Sequence, residues 1–387
     1  LASGKEKDPT PDDQTIIPSH ASDFANLPDE ILFDLMKQTS GKDLRYGLER
    51  TCKYLYLKFL TKLPELEFVY DSKTLNPQYI NLALDQGHVP RTIRMIGCTW
   101  TDIGGATMGA TIKKLPSLAL DGVKSLFSPA SKNPSPVVEQ RPSTLTTLQT
   151  LEIKGIYPTD WSHTNHHKYK ISRIFLDRFK QFTNVKSAMI FCIFFDEPEL
   201  KMLSSALQQM VGLTSLSLIR TQIGGSLTFF DEINLPSLTK LNVHSNDLGN
   251  PHFKGISRYT NLTWLDVGSN TEIGKNPANQ QLLSSLTKLR FLSLKRVGIN
   301  NDFAFIQNFT ALEALDIREN LIDGKGSDLI VRLTPAFTSL THLKDLAILS
   351  KLVPIDEESI SALKNAFPSL QEVSSVNSNL FPENPES

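Results

Sequence analysis

From Leu213 to Ile348 the apolar residues recur in one short figure, aliphatic-x-x-aliphatic-x-aliphatic, separated by longer polar or amphipathic stretches. The copies are Leu213/Leu216/Leu218, Leu238/Leu241/Val243, Leu262/Leu265/Val267, Leu289/Leu292/Leu294, Leu312/Leu315/Ile317 and Leu343/Leu346/Ile348. Their starts fall 25, 24, 27, 23 and 31 residues apart. Alternation at period two predicts a short strand in each copy, one face inward and the other outward. Such a strand cannot bury its inward face alone, so neighbouring copies must stack into a continuous core. Between strands the period changes to that of a helix. Glu199 to Leu213 places Leu200, Leu203, Leu207, Met210 and Val211 on one stripe, Pro277 opens a second segment with Leu282, Leu283 and Leu286, and Asp356 caps a third carrying Ile360, Leu363 and Phe367.

An Asn follows the strand in three copies, at Asn246, Asn270 and Asn320, with an aliphatic two or three residues later at Leu248, Ile273 and Ile322. An Asn at that bend can bond backbone groups that the turn leaves unpaired. This figure resembles the leucine-rich repeat. The resemblance implies an α/β solenoid, a horseshoe with parallel strands on the concave face and helices on the convex face, over residues 63–380. Weaker copies extend it at Leu63/Leu66/Phe68, Ile93/Met95, Leu115/Leu118/Leu120, Leu148/Leu151/Ile153, Val185/Ile190 and Leu370/Val373. Loop insertions are expected near 124–147, rich in Pro, Ser and Thr, and near 157–170, where His163, His166 and His167 read as a solvated loop in preference to a metal site.

Residues 1–23 are polar and proline-containing, with no apolar periodicity, and read as a disordered segment; residues 381–387 read as a tail. Residues 24–62 form a small all-α module in this reading. Pro28, Asp29 and Glu30 suit the first turn of one helix, and Leu44, Leu48, Cys52, Leu55 and Phe59 recur at helical spacing in a second. Some 40 residues are too few for a self-sufficient core, so part of that apolar surface should meet a partner or cap the first repeat. The series Leu27-Pro28-x-Glu30-Ile31-Leu32, then Asp43-Leu44, then Cys52-Lys53 resembles an F-box. It departs from the pattern at Gln38-Thr39, where an aromatic-aliphatic pair is usual, and at Leu55, where Trp is frequent. The resemblance implies a Skp-type adaptor bound by Leu27, Pro28, Ile31, Leu32, Leu35, Leu44, Leu48 and Cys52, and through it a cullin scaffold. The implied role is that of a substrate receptor of an SCF-type E3 ubiquitin ligase, itself non-catalytic, in cytoplasm or nucleus. The alternative is a ligase-independent binding scaffold or assembly factor whose N-terminal helices are only a cap.

Composition narrows the classes. Forty basic and 41 acidic residues give a formal charge of −1, so the strong positive field of a nucleic-acid binder is missing and no nucleic-acid partner is expected. Cys52, Cys98 and Cys192 fit no metal spacing and suit a reducing compartment. The apolar run from Ala188 to Phe195 is far shorter than a membrane span of roughly 20 residues, and no membrane partner is expected. No phosphate loop, nucleophile elbow or zinc-protease motif occurs, so no catalytic residue, metal or cofactor is assigned.

Outward positions of the strands remain as the candidate site. Aligned copies give one column of Ser215, Lys240, Trp264, Phe291, Ala314 and Asp345, and a second of Ser217, Asn242, Asp266, Ser293, Asp316 and Ala347. A third holds Ile219, His244, Gly268, Lys295, Arg318 and Leu349, and a fourth Arg220, Ser245, Ser269, Arg296, Glu319 and Ser350. Trp264 and Phe291 should be adjacent outward aromatics, an arrangement common in binding hot spots. Lys240, His244, Lys295, Arg296 and Arg318 beside them make a basic rim for a protein substrate with a hydrophobe near acidic or phosphorylated residues.

Overall fold

The computed structural model describes residues 65–69, 91–96, 147–155, 171, 173–300, 302–323, 327–349 and 355–374. Within them, β1 (Glu65–Val69), β2 (Thr92–Ile96), β3 (Thr150–Lys154), β4 (Ser187–Phe191), β5 (Ser215–Ile219) and β6 (Lys240–Asn242) are followed by β7 (Trp264–Asp266), β8 (Phe291–Ser293), β9 (Ala314–Asp316), β10 (Asp345–Ala347) and β11 (Glu372–Ser374). All lie in one sheet in sequence order, and every neighbouring pair is parallel. A sheet that advances one strand per repeat and never reverses is a solenoid. Its return segments carry α1 (Arg173–Arg178), α2 (Glu197–Leu207), α3 (Phe229–Glu232), α4 (Asn250–Ile256), α5 (Glu272–Lys275), α6 (Pro277–Leu283), α7 (Ser327–Phe337) and α8 (Glu357–Ala366). Short 3-10 turns stand at Phe179–Gln181, Ile223–Gly225 and Ala304–Asn308.

Strands stack about 4.8 Å apart, whereas packed helices need about 8–10 Å. A coil with both must bend with its strand layer inside, which makes the sheet the concave face. The inward residues of the repeat figure, from Ile93 and Met95 through Leu265 and Val267 to Leu346 and Ile348, join one continuous core with aromatic residues of the return segments. Phe175, Phe179 and Phe182 pack there with ring centroids 5.3 to 6.3 Å apart. The fold is that of a leucine-rich repeat solenoid.

Register is locked at the start of each strand by the residue before it. The carbonyl of Thr239 accepts from both Thr263 N and Trp264 N, that of Thr263 from Arg290 N and Phe291 N, and that of Arg290 from Glu313 N and Ala314 N. Beyond the strands the Asn residues take over. Asn270 is fully buried; its Nδ2 donates to the carbonyls of Val243, Val267 and Gly268, while its Oδ1 accepts from Asn246 N and Leu248 N. Asn246 and Asn320 repeat the arrangement one repeat before and two repeats after. Val297 occupies the equivalent place between Asn270 and Asn320, and its own N–H is accepted by Asn320 Oδ1.

The structure departs from the sequence expectations in places. β2 pairs directly with β3 over five residues, and the Leu115/Leu118/Leu120 copy lies outside the described residues. Helix α2 stops at Leu207, and Val211, placed on the stripe from sequence, is 61% exposed in the turn beyond it. The F-box-like segment 24–62, both expected insertions apart from Thr147, the three clustered histidines and the tail also lie outside the described residues. Among the described residues no helix is long and apolar enough to cross a membrane.

Candidate interaction site on the concave face

The strand columns read from sequence are the observed registers. Ser215, Lys240, Trp264, Phe291, Ala314 and Asp345 are successive partners, as are Ser217, Asn242, Asp266, Ser293, Asp316 and Ala347. Because Trp264 and Phe291 are in register on parallel strands, their rings lie face to face, with centroids 4.6 Å apart and planes 4° from parallel. Such a pair is worth about 0.5–1.5 kcal/mol beyond its buried area. Both rings remain half-buried on the open face of the sheet, where they wall a cleft of about 380 Å³.

Just past each of β4 to β9 the backbone enters the left-handed region. Cys192, Arg220, Ser245, Ser269, Arg296 and Glu319 have φ between 53° and 58°, one per repeat. For residues other than glycine this conformation costs roughly 1–2 kcal/mol, and each N–H is bonded to a carbonyl of the next repeat, which helps to offset it. The periodic bend brings Arg220, Ser269 and Arg296 to the wall of the cleft.

Charged groups in the cleft are extensively paired. Asp316 receives Arg318 Nε and its own i+2 N–H on Oδ1, and Arg318 Nη2 on Oδ2 at 2.7 Å. Arg318 stands two residues beyond Asp316, the last residue of β9, so the pair forms within one repeat. Arg318 is 1% exposed, which corrects its assignment to the basic rim: its guanidinium is part of the floor. Lys295 pairs with Glu319 at 3.1 Å and is mostly covered. Arg296 and Lys240 are exposed, and Lys240 is the register neighbour of Trp264 on the opposite side from Phe291.

His244 is half-buried between two partners: Nδ1 stands 3.5 Å from Asp266 Oδ1, and Nε2 stands 3.2 Å from Ser269 Oγ. Space for its ring exists because residue 268 is glycine; a Cβ there would lie 2.6 Å from His244 Nδ1. Burial alone would raise the Asp266 carboxyl above its usual 3.8. The charge and hydrogen bond of His244, the Gly268 N–H and the Ser293 hydroxyl together outweigh that effect and hold it below. Asp266 therefore stays ionised and anchors His244 against Ser269.

Of the residues assigned from sequence, Trp264, Phe291, His244, Lys295, Arg296 and Arg318 line one cleft, with Arg318 as floor. Lys240 flanks it through Trp264. The adaptor-contact series from Leu27 to Cys52 lies outside the described residues. Sequence reading omitted Asp266, Ser269 and Arg220 from the site, although all three stood in the outward columns. Another cleft of about 350 Å³, lined in part by Asp231, Arg258 and Tyr259, lies by the return segments. Its polar groups bond the scaffold itself: Tyr259 Oη donates to the Ile233 carbonyl and Arg258 Nη2 to that of Phe230.

No family model and no curated protein matches the chain. Among solved structures it is similar to LegL7, a leucine-rich repeat-containing protein from Legionella pneumophila, at 16% identity and a TM-score of 0.41, over 80% of this chain and 89% of that one. It is also similar to the functional domain of InlJ from Listeria monocytogenes, at 13% identity and a TM-score of 0.33, over 59% of this chain and 49% of that one.

Proposed function

We propose that the chain is a non-catalytic protein-binding scaffold whose concave face holds a peptide segment of a partner, with the Trp264–Phe291 pair as its apolar anchor. The observation that carries this reading is the stacked pair itself, held half-buried on the open face of a rigid sheet beside a cleft of about 380 Å³. Aromatic residues gain most on binding where the backbone beneath them is already fixed, because little entropy is lost on ordering them. Here parallel registers on both sides and the bifurcated bonds at the strand starts fix it.

The finer proposal joins this face to the N-terminal segment. Its Leu27-Pro28-x-Glu30-Ile31-Leu32 series supports an F-box that docks a Skp-type adaptor, which would make the whole a substrate receptor of an SCF-type ubiquitin ligase. Affinity purification of the full chain, of a chain lacking 24–62, and of Trp264→Ala tests both levels. The expected outcome is loss of adaptor and cullin with the deletion, and loss of a different protein with Trp264→Ala. An unaltered set of bound proteins in Trp264→Ala overturns the concave-face reading. Absence of a Skp-type adaptor from the intact chain overturns the ligase reading and leaves a ligase-independent scaffold.

A further inference from the structure

Of the basic residues that the strand pattern sets beside Trp264 and Phe291, His244 is engaged with Asp266, Lys295 with Glu319 and Arg318 with Asp316, while Arg296 stands exposed past the end of β8. Lys240, at the start of β6, is exposed, and among the described residues its ammonium has no partner. Its surroundings are hydrogen-bond donors. Ser215 and Lys240 are register partners, as are Ser217 and Asn242. These four outward side chains therefore stand at the corners of a rectangle of about 4.8 Å across the strands and about 7 Å along them. Asn242 Oδ1 accepts from His244 N; among the described residues neither Asn242 Nδ2 nor the Ser215 and Ser217 hydroxyls has a partner. Trp264 borders the rectangle on the β7 side. We propose that this seat holds the carboxylate of an aspartate or glutamate in the partner peptide, resting on the reading that the peptide lies on the concave face.

Charge and size select a carboxylate. Lys240 is the one charged residue in β4, β5 and β6, so a single positive charge stands among neutral donors and a singly charged anion neutralises it. Two carboxylate oxygens suffice for the ammonium together with an amide or hydroxyl donor. Asp266 is in register with Asn242, but its Oδ1 is turned to Gly268 N and His244, and it also bonds the Ser293 hydroxyl in β8, on the side away from β5. A phosphate would bring about −1.5 to −2 charge close to the ionised Asp266, and Lys240 offers it a point charge in place of a guanidinium fork. Ser217, Asn242 and Trp264 also wall the cleft, which runs on to Ser269. The bound chain therefore has room to continue past the seat, which favours an acidic side chain over a chain terminus. Lys240 is one strand step from Trp264 and two from Phe291. At about 4.8 Å per strand and about 3.3 Å per peptide residue, the acidic residue falls within about three positions of the hydrophobe.

The test passes a library of amidated peptides over the full chain, degenerate around one fixed leucine and with phosphoserine among its residues, and sequences what is retained. Aspartate and glutamate should be enriched at least about threefold within three positions of the leucine, in line with a partly exposed ion pair. In Lys240→Glu the enrichment should pass to lysine and arginine at the same position, with the melting temperature unchanged because the side chain is exposed. Asn242→Asp keeps an oxygen to accept from His244 N but replaces the donor with a like charge, and should abolish the acidic preference. Lys254→Glu, in α4, makes the same change of net charge away from the strands and should retain that preference in full. Equal loss in Lys240→Glu and Lys254→Glu overturns the seat, because the preference would then follow overall charge. So does a wild type that enriches no acidic residue, that prefers phosphoserine to both acids, or that binds only a parallel library with free C-terminal carboxylates. Peptides retained without acidic preference, and lost in Trp264→Ala, overturn the seat alone and preserve the concave-face reading; retention unaltered by Trp264→Ala overturns both, as does retention of no peptide.

Discussion

Asp266 shows how one side chain serves both packing and recognition. Its Oδ1 accepts from Gly268 N at 2.8 Å and faces His244, so it fixes the turn and the ring together. Its carboxyl is held below the usual 3.8, and a depressed folded-state value means that this stability is present above the unfolded value and lost as pH falls through the folded one. Wild type should therefore be more stable than Asp266→Asn at neutral pH. Denaturant unfolding at a series of pH values should show the gap closing below about pH 4, near the unfolded carboxylate value. A gap independent of pH would mean that the shape of the side chain matters and its charge does not. The outward column containing Asp266 was legible in the sequence; its pairing was not. The same limit explains Arg318, whose place in an outward column suggested exposure. The missed signal was Asp316-x-Arg318, the last residue of β9 and the residue two positions on, joined by their own side chains within one repeat. Asn242-x-His244 uses the same spacing, with Asn242 Oδ1 accepting from His244 N.

Caps decide where the helices of the return segments begin. Asp356 was readable as a cap, and its Oδ1 accepts from Ser359 N as α8 opens. For α2 the sequence reading started at Glu199, two residues late, and ran too far. The local signal was present in Asp196-Glu197-Pro198-Glu199: Asp196 Oδ1 accepts from Glu199 N, and Glu199 Oε2 accepts from Asp196 N, a reciprocal capping box with Pro198 in the first turn. Periodicity concealed it because the inward positions Leu200, Leu203 and Leu207 begin after the cap, and because Met210, fully buried but beyond the helix, keeps the spacing. Asp196→Ala should lower stability by about 1 kcal/mol, a typical cap loss, in thermal or denaturant unfolding. Asp196→Asn, which retains an accepting oxygen, should recover most of it. No recovery would place the effect in the ion pair between Asp196 and Arg173 rather than in the cap.

At the scale of the molecule, stability should follow from each repeat gripping the next. Among the described residues no strand pairs with any but the strand before and after it, and the core is correspondingly a chain of adjacent layers. The periodic Leu figure made this architecture legible, since each Leu in it is an inward residue; of the degenerate early copies, Leu66/Phe68, Ile93/Met95, Leu151/Ile153 and Ile190 fall on β1, β2, β3 and β4. Leu265 is fully buried in β7, with β6 and β8 on either side, and truncation to Ala should cost about 2–5 kcal/mol through lost contacts and a cavity. The distribution of that loss is the sharper test. Hydrogen exchange should show the greatest deprotection in β6 to β8 and the Asn246 and Asn270 side-chain bonds, with the effect fading toward β4 and β10, because coupling passes only through intervening repeats. The equivalent Leu346→Ala in β10 should open β9 to β11 and leave β5 protected. Uniform deprotection of the sheet by either substitution would show instead that the described repeats unfold as one cooperative block. The Trp264–Phe291 pair spans the β7–β8 step, so Leu265→Ala should also weaken binding at the concave face more than Leu346→Ala does, even at equal loss of stability.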